Sequence, residues 1–231
     1  MQTFNLSLQR IIFGSIQSKG GITITEKSND PKILKFTLKH ILKTLRKSAG
    51  FQCIAIRLRQ KGDFPYFLHR GFPETFVSKE TTLNVKDKEG NLVLEIDGTP
   101  FVECMCGNVL KRRTNPKYPY FTKEGAFWTN STTQLLKSLT EEERQEIGRT
   151  RNTCHDYGYE SVALIPIHAD GKIIGLIQIN DAREGIFTLE KVRKHQSLAD
   201  HIGTIVISIL EFYDEVAQTF NNASNFEEFE K

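Results

Sequence analysis

The chain has 231 residues, 39% of them hydrophobic and 26% charged, a balance typical of a globular protein that buries a core. Its 31 basic and 28 acidic residues leave a formal net charge of +3, which does not indicate the broad basic face of a nucleic-acid-binding protein. No apolar run approaches the roughly 18 residues of a membrane span, and the amino terminus lacks the features of a secretory signal. Four cysteines, three of them in two short segments, do not form a secreted disulfide framework. We therefore expect a cytoplasmic protein with reduced thiols that binds neither nucleic acid nor membrane.

A lead-in segment over residues 1–30 precedes the first strongly predicted helix. Asp30 is placed as the N-cap of this helix, Pro31 as its first residue and Gly50 as the residue just past its end. The apolar residues recur at the helical period, so we expect them to face the core. They are Ile33, Leu34, Leu38, Ile41, Leu42 and Leu45.

A hairpin follows this helix. Residues 53–58 predict an apolar strand, "KGD" predicts a turn, and residues 64–69 predict the return strand. Cys53 lies in the first of these strands, where we expect an inert, buried thiol. The polar segment over residues 81–100 has two glycine turns and predicts a loop or a short hairpin.

The middle of the chain holds the other three cysteines. Pro100 is expected to open a helix that contains "FVECMCGNVL", and the Pro- and Gly-rich segment after it predicts no regular structure. Residues 127–129 predict a short strand. Thr140 and Glu143 form a capping box, so a further helix is predicted from Thr140 to Gly158.

The last third of the chain predicts a hairpin and a long helix. The segments "YESVALIPIH" and "KIIGLIQIND" predict two strands joined by the turn "ADG", and Thr188 is expected to cap a long amphipathic helix. Residues 216–231 are acidic and predict a flexible tail. Local hairpins with a helix at each end indicate an α+β fold, in which N- and C-terminal helices flank a central antiparallel sheet and the middle segment roofs a pocket.

The second half of the chain resembles the C-terminal half of GAF domains, and "GFQCIAIRL" resembles a strand of their first half. The resemblance covers about residues 31–212 and implies one GAF-like sensor domain over residues 31–215. The segments "ECMCGNVL", "FWTNSTT" and "RNTCHDYGYESVALIPI" are similar to a cysteine-containing subgroup of GAF domains in bacterial and archaeal sensor kinases. The positions of the GAF signature are occupied by Ser161, Pro166, Gly175, Phe187, Thr188, Leu198, Ala199 and Ile202.

The resemblance implies a ligand pocket between the sheet and the middle segment. GAF domains bind cyclic nucleotides, tetrapyrroles, haem, nitrate or other small molecules there, and many serve as dimerisation modules. For this chain it implies a signalling partner such as a histidine kinase. The long C-terminal helix carries apolar residues at helical spacing that either pack on the sheet or pair with a second copy, and we expect a homodimer through the terminal helices. These residues are Leu198, Ile202, Ile205, Ile209 and Phe212. Trp128 and Asn130 belong to the segment that lines the strand bordering a GAF cavity, and their side chains are suited to orient a polar ligand.

The first cysteine pair is a C-x-C motif. If residues 101–110 are helical, Cys106 points into the core and Cys104 lies almost opposite. Two sulfurs on opposite sides of a helix cannot bind one metal ion, and zinc sites usually have two to four residues between their cysteines. The two thiols converge only if the backbone departs from helical geometry near Gly107.

The third cysteine belongs to the later helix. Ile147, Arg151 and Cys154 fall on one face of that helix, and His155 is turned about 100° away, so it is expected at the surface or behind the site. Because both helices border the pocket in GAF domains, the resemblance places Cys106 and Cys154 at one cavity with Arg151 beside them.

The cysteine cluster leaves several interpretations open. In the first, Cys104, Cys106, Cys154 and His155 hold zinc, haem or an iron–sulfur centre. In the second, two of the thiols form a disulfide that reshapes the pocket. In the third, the chain is a thiol enzyme, since Cys106 and Cys154 resemble catalytic positions of free methionine-R-sulfoxide reductases. The simplest alternative is that the thiols are small buried hydrophobic groups in a module that only dimerises.

The chain departs from the reductases at important positions. Val162 stands where a reductase carries Glu, and Asp181 alone represents the acidic residues near the end of its strand. A bilin is not expected, because the Cys-His pair lies closer to the following strand than in bilin-binding GAF domains. The sequence therefore favours a non-enzymatic sensor that binds a small molecule, metal or redox cofactor, with the cysteine cluster as its candidate site.

Overall fold

The computed structural model describes the backbone of residues 32–229 and the side chains of residues 32–212. The predicted lead-in and the predicted helix start at Asp30 and Pro31 lie outside the described residues. The elements in chain order are α1 Lys32–Ala49, β1 Cys53–Leu58, β2 Tyr66–Arg70, α2 Glu74–Glu80, α3 Cys104–Leu110, β3 Phe127–Thr129, α4 Thr132–Ser138, α5 Glu141–Ile147, α6 Thr153–Asp156, β4 Ser161–Ala169, β5 Lys172–Asp181 and α7 Leu189–Phe229.

One five-stranded sheet organises the described part of the chain, with strand order β2-β1-β5-β4-β3. Its pairings are antiparallel throughout. The turn between β4 and β5 contains Asp170 with a φ of 48° and Gly171 with a φ of 71°, the left-handed pair that a tight hairpin requires. The predicted α+β fold, with an antiparallel sheet between N- and C-terminal helices, is confirmed.

Alternation along the strands gives the sheet two different buried faces. On β1, Ile54 and Ile56 belong to the core shared with α1 and α7. Cys53 and Ala55 point the other way, into a second core built with the middle segment. Both faces are buried, so the strand reads as a continuous apolar run broken only by Arg57.

The two long helices cover one face of the sheet. Leu34, Leu38 and Leu42 of α1 are buried there as the helical period predicts, but Ile33 is 52% exposed and does not face the core. The helix α7 approaches β4 closely at Gly203, where an added Cβ atom would lie 1.9 Å from the carbonyl oxygen of His168. Only glycine permits this packing distance.

The start of α7 is the predicted one. The hydroxyl of Thr188 accepts a hydrogen bond from the backbone N–H of Lys191 at 3.2 Å, which confirms the predicted cap. The helix continues over residues 216–229, where the sequence predicts a flexible tail. The division of the chain into a lead-in, a domain and a tail stays a prediction.

Two predicted helix boundaries in the middle segment are wrong. Pro100 does not open a helix, because Phe101 and Glu103 are extended and exchange backbone hydrogen bonds with the loop before them. The helix predicted from Thr140 to Gly158 is two short helices, α5 and α6, although its capping box at Thr140 is present. Gly148 has a φ of 69° and Asn152 a φ of 55°, and these left-handed residues interrupt the helix.

None of the helices in the described part of the chain is both long and apolar enough to cross a membrane.

Candidate functional site

A cavity of about 180 Å³ lies between the sheet and the middle segment. Its walls come from β3, β4, the end of α2 and the four short helices α3 to α6 with their links, and they are mainly apolar. The lining residues are Glu80, Cys104, Met105, Cys106, Phe127, Thr132, Leu135, Leu136, Leu139, Arg144, Ile147, Gly148, Thr150, Asn152, Thr153, Cys154, His155, Val162 and Leu164.

The start of α3 brings both thiols of the C-x-C motif to this cavity. Cys104 has a φ of 69°, so the backbone is left-handed at that residue and only later becomes helical. The prediction that Cys104 lies opposite Cys106 is therefore wrong, because it assumed a helix through both residues. The backbone N–H of Cys104 donates to the carbonyl of Arg149 at 3.0 Å, which holds the turn against the α5–α6 link.

The break between α5 and α6 separates residues that the sequence places on one helix face. Ile147 and Cys154 line the cavity, but Arg151 lies in the link and turns toward Glu103. His155, which the sequence places at the surface or behind the site, is half-buried. It lines the cavity, with its Nδ1 atom 3.2 Å from the hydroxyl of Thr132.

A buried charge cluster lies directly beside the thiols. The guanidinium of Arg151 donates to the carboxylate of Glu103 at 2.5 Å and lies 3.6 Å from that of Glu80. Glu103 also pairs with Arg149 at 2.8 Å, and both glutamates are almost fully buried. Burial lowers the pKa of Arg151, but the hydrogen bond to Glu103 and the two carboxylate charges outweigh it, so the pKa is raised. The cation is therefore fixed at this position.

A second buried cation, Arg57, supports the sheet side of the cluster. Its guanidinium is fully buried and donates to the backbone carbonyls of Phe64 at 2.9 Å and Glu80 at 2.6 Å. It lies 3.6 Å from the centre of the Tyr66 ring and donates to Gln178 at 3.4 Å. Arg57 thus joins β1 to the end of α2, which positions the carboxyl group of Glu80 at the cavity.

Burial governs the chemistry of the three thiols. It raises the pKa of Cys104, raises the pKa of Cys106 well above its usual value, and raises the pKa of Cys154 from 9.0 to about 12. The charges of neighbouring thiolates oppose ionisation further, since Cys104 raises the pKa values of the other two. All three are therefore protonated at neutral pH, whereas a catalytic cysteine needs the thiolate form.

The thiols, His155 and the nearby carboxylates do not assemble into a metal site. Over residues 32–212, no group of three or more His, Cys, Asp and Glu side chains is arranged to hold a metal ion. The predicted ligand set of Cys104, Cys106, Cys154 and His155 thus shares a cavity without converging on one point.

Two other predicted site residues lie away from the cavity. Phe127 faces it, and alternation along β3 therefore turns Trp128 to the opposite face, against the core of α1 and α7. Asn130 exchanges two hydrogen bonds with the backbone of Phe187, at 2.8 and 2.9 Å. It fixes the entry of α7 and is not among the residues that line this cavity.

Several residues of the site are absent from the sequence prediction. Arg57, Gln178 and Asn180 are buried polar residues on the cavity side of the central strands, and the period of two could have revealed them. In β1 and β5 the residues next to them in sequence face the core shared with α1 and α7. Alternation along the strand therefore turns these three side chains to the cavity side. Glu80 and Thr153 have no such local signal, because their roles depend on contacts between distant segments.

The comparisons with known proteins agree on one fold. The sequence model described as GAF domain matches residues 34–206. No curated protein matches the chain. Three solved structures with TM-scores of 0.50 illustrate the structural likeness.

The first of the three is a domain of a protein assigned as a two-component sensor histidine kinase from Sinorhizobium meliloti 1021, at 11% identity over 78% of this chain and 95% of that one. The second is the type II free methionine-R-sulfoxide reductase from Thermoplasma acidophilum, at 10% identity over 78% and 96%. The third is the GAF domain region of a protein assigned to the membrane in Geobacter sulfurreducens PCA, at 19% identity over 79% and 98%. At these identities the likeness establishes the fold alone.

Removal of the Arg151 cation should destabilise the fold much more than removal of Arg149. Arg151→Met leaves Glu80 and Glu103 buried without their central partner, and we expect a loss of about 3 kcal/mol in the free energy of unfolding. Arg149 is 69% exposed, so Arg149→Met is the matched control and should cost less than about 1 kcal/mol. Urea denaturation measures both values, and equal losses would contradict the role given to Arg151.

The raised pKa of Cys154 predicts a loss of stability at alkaline pH. From its usual value of 9.0 up to about 12, the folded chain keeps a proton that the unfolded chain releases, so the free energy of unfolding falls as the pH rises. Cys154→Ala removes this contribution. Urea denaturation between about pH 8 and 10.5 should therefore give a shallower decline for the variant than for the wild type. Parallel declines would contradict the assignment of a buried, protonated thiol.

Proposed function

Because the chain belongs to the GAF domain family, we propose that it is a sensory module whose cavity binds a small, mainly apolar molecule. The observation that carries the proposal is the cavity itself, about 180 Å³ in volume, with walls of leucine, isoleucine, valine, phenylalanine and methionine. It lies on the side of the sheet opposite α1 and α7, bordered by short helices and links. Short connecting segments can shift when a ligand enters, whereas the sheet beneath them stays fixed.

The volume of the cavity limits the ligand to a small molecule. An apolar cavity of about 150 Å³ in a protein core holds benzene, and pockets for drug-sized ligands start at about 300 Å³. A single ring or a fused pair of rings therefore fits this cavity. Haem, linear tetrapyrroles and cyclic nucleotides are too large for it, so we do not propose them.

The arrangement of the thiols favours a binding role over a metal or redox role. A metal, haem or iron–sulfur centre needs donors that converge on one point, and over residues 32–212 no group of three or more His, Cys, Asp and Glu side chains is arranged to hold a metal ion. The cysteines act here as compact, polarizable wall residues for the ligand.

A reductase activity is the second candidate, and one observation favours it. Cys106 and Cys154, the positions that resemble the catalytic cysteines of free methionine-R-sulfoxide reductases, line the same cavity. Two observations weigh against it. The thiols have raised pKa values, and Asp181 is occupied by Arg183 at 2.7 Å and by the backbone of Gln52 at 3.0 Å. We therefore propose that the chain binds its ligand without catalysis.

A homodimer through the terminal helices would pass the signal onward. GAF domains often occur with histidine kinases or other signalling partners, and α7 extends over 41 residues. The outer sides of the two terminal helices expose large apolar side chains: Phe36 is 63% exposed on α1, and Phe212 is 56% exposed on α7. These exposed rings support an interface on this side of the sheet.

The dimer proposal predicts a specific effect of Phe36→Asp. The wild type should sediment with a mass near twice 26.4 kDa, and the variant should dissociate because a carboxylate would be buried in an apolar interface. Leu94→Asp is the matched control, since Leu94 is 57% exposed in the loop before α3 and far from the terminal helices in sequence. A wild type that sediments as a single chain would contradict the proposal.

The binding proposal is tested with a panel of one- and two-ring molecules in a thermal-shift assay. At least one member of the panel should raise the melting temperature of the protein, and the increase should grow as the concentration of that molecule rises above its dissociation constant. Val162→Phe places a ring in the cavity and should abolish the shift, while Val162→Ile, which adds one methyl group, should reduce it less. If no member of the panel stabilises the wild type, the binding proposal is wrong.

A further inference from the structure

We propose that the ligand of this cavity is a neutral molecule with an apolar ring body and one hydrogen-bond donor, a hydroxyl or N–H group, that binds the carboxyl group of Glu80. This inference rests on the proposed function and names the chemical class that the cavity selects. It follows from two buried polar atoms at the cavity wall, from the balance of buried charge, and from the apolar character of the remaining walls.

Glu80 provides the first polar atom. Its side chain is 3% exposed and lines the cavity, and its Oε1 atom accepts no hydrogen bond from the described residues. The closest cation is Arg151, whose Nη1 lies 3.6 Å away, too far for a hydrogen bond. A buried carboxyl oxygen without a donor is costly, so a donor on a bound molecule would recover a large interaction.

Thr153 provides the second polar atom. It is the first residue of α6, is 1% exposed and lines the same cavity. Its hydroxyl has no hydrogen-bond partner within the described part of the chain. Two separate segments, the end of α2 and the start of α6, thus each present an unpaired buried oxygen to one space. Buried polar groups in protein cores almost always have a hydrogen-bond partner, so two buried oxygens without one at the same cavity point to a ligand.

The balance of buried charge selects a neutral ligand. Arg57 and Arg151 carry two positive charges beside the cavity, and Glu80 and Glu103 carry two negative charges. The buried charges of the cluster cancel, and Arg149 adds a further positive charge at the surface. An ammonium ligand would therefore add a positive charge that has no buried carboxylate to pair with. A carboxylate ligand would meet the carboxylate of Glu80. A neutral hydroxyl or N–H group gains the hydrogen bond and leaves no buried charge unpaired.

The remaining walls select an apolar ring. Leu135 and Leu139 of the α4 region line the cavity together with Phe127 and Leu164 of the sheet. Aromatic and aliphatic walls of this kind contribute through burial and contact without directing polar groups. The ligand therefore has one polar end, which Glu80 binds, and one apolar end, which contacts the walls without a directed hydrogen bond.

Indole and benzofuran are the probes that separate the donor from the ring. The two molecules share a fused two-ring shape, but indole carries an N–H group where benzofuran carries an oxygen acceptor. Isothermal titration of the wild type should give an affinity for indole at least about tenfold higher than for benzofuran, because a hydrogen bond to a charged acceptor is at stake. Equal affinities would overturn this inference and leave the binding proposal intact. If neither molecule binds, and the wider panel is silent as well, both proposals are wrong.

The variant Glu80→Met tests whether the carboxyl group of Glu80 causes the higher affinity for indole than for benzofuran. It removes the acceptor at similar length and should lower the affinity for indole to that for benzofuran, with the benzofuran affinity unchanged. Glu190→Met, at a carboxylate on the surface of α7, is the matched control and should keep the full preference. A Glu80→Met protein that still prefers indole tenfold would overturn the assignment. Should this variant not fold, Glu80→Gln keeps a weaker acceptor of the same shape and should reduce the preference several-fold, and an unchanged preference would overturn the assignment equally.

Discussion

The pairing of Arg151 with Glu103 and Glu80 is the constraint on which the middle segment depends. These three residues come from the α5–α6 link, the start of α3 and the end of α2, so one cation joins three segments that are far apart in the chain. Burial makes the pairing obligatory, since either carboxylate left alone in the core would cost several kcal/mol. The cavity lies beside this cluster, between the sheet and the middle segment.

The same constraint explains why the site has a polar end and an apolar end. Arg57 holds the backbone of Glu80 from the sheet side, and Arg151 approaches its carboxyl group from the other side. Arg151 lies 3.6 Å from Oε1, which is too far for a hydrogen bond, so this buried oxygen has no donor among the described residues. The thiols and the leucines of α4 complete the walls. A ligand bound at Glu80 would act directly on the cluster that joins these three segments.

The sequence could predict the sheet and its terminal helices because their signals are local. Period-two alternation, the "ADG" turn and the cap at Thr188 each involve neighbours in the chain, and each is confirmed. The cysteine geometry was predicted wrongly because it extrapolated helical periods through Cys104 and through Gly148, where the backbone is left-handed. The meeting of three cysteines at one cavity was nevertheless expected in part, through the family resemblance. The roles of Glu80 and Arg57 could not be foreseen, because contacts between residues far apart in the chain create them.

The measurement that tests this account most directly is a crystal structure of the protein grown with indole, with anomalous scattering recorded for zinc and iron. We expect a ring in contact with Phe127 and Leu135, with its N–H group directed at Glu80, and no metal signal among the cysteines. A metal peak that bridges Cys104, Cys106 and Cys154, or a cavity without indole at saturating concentration, would contradict it.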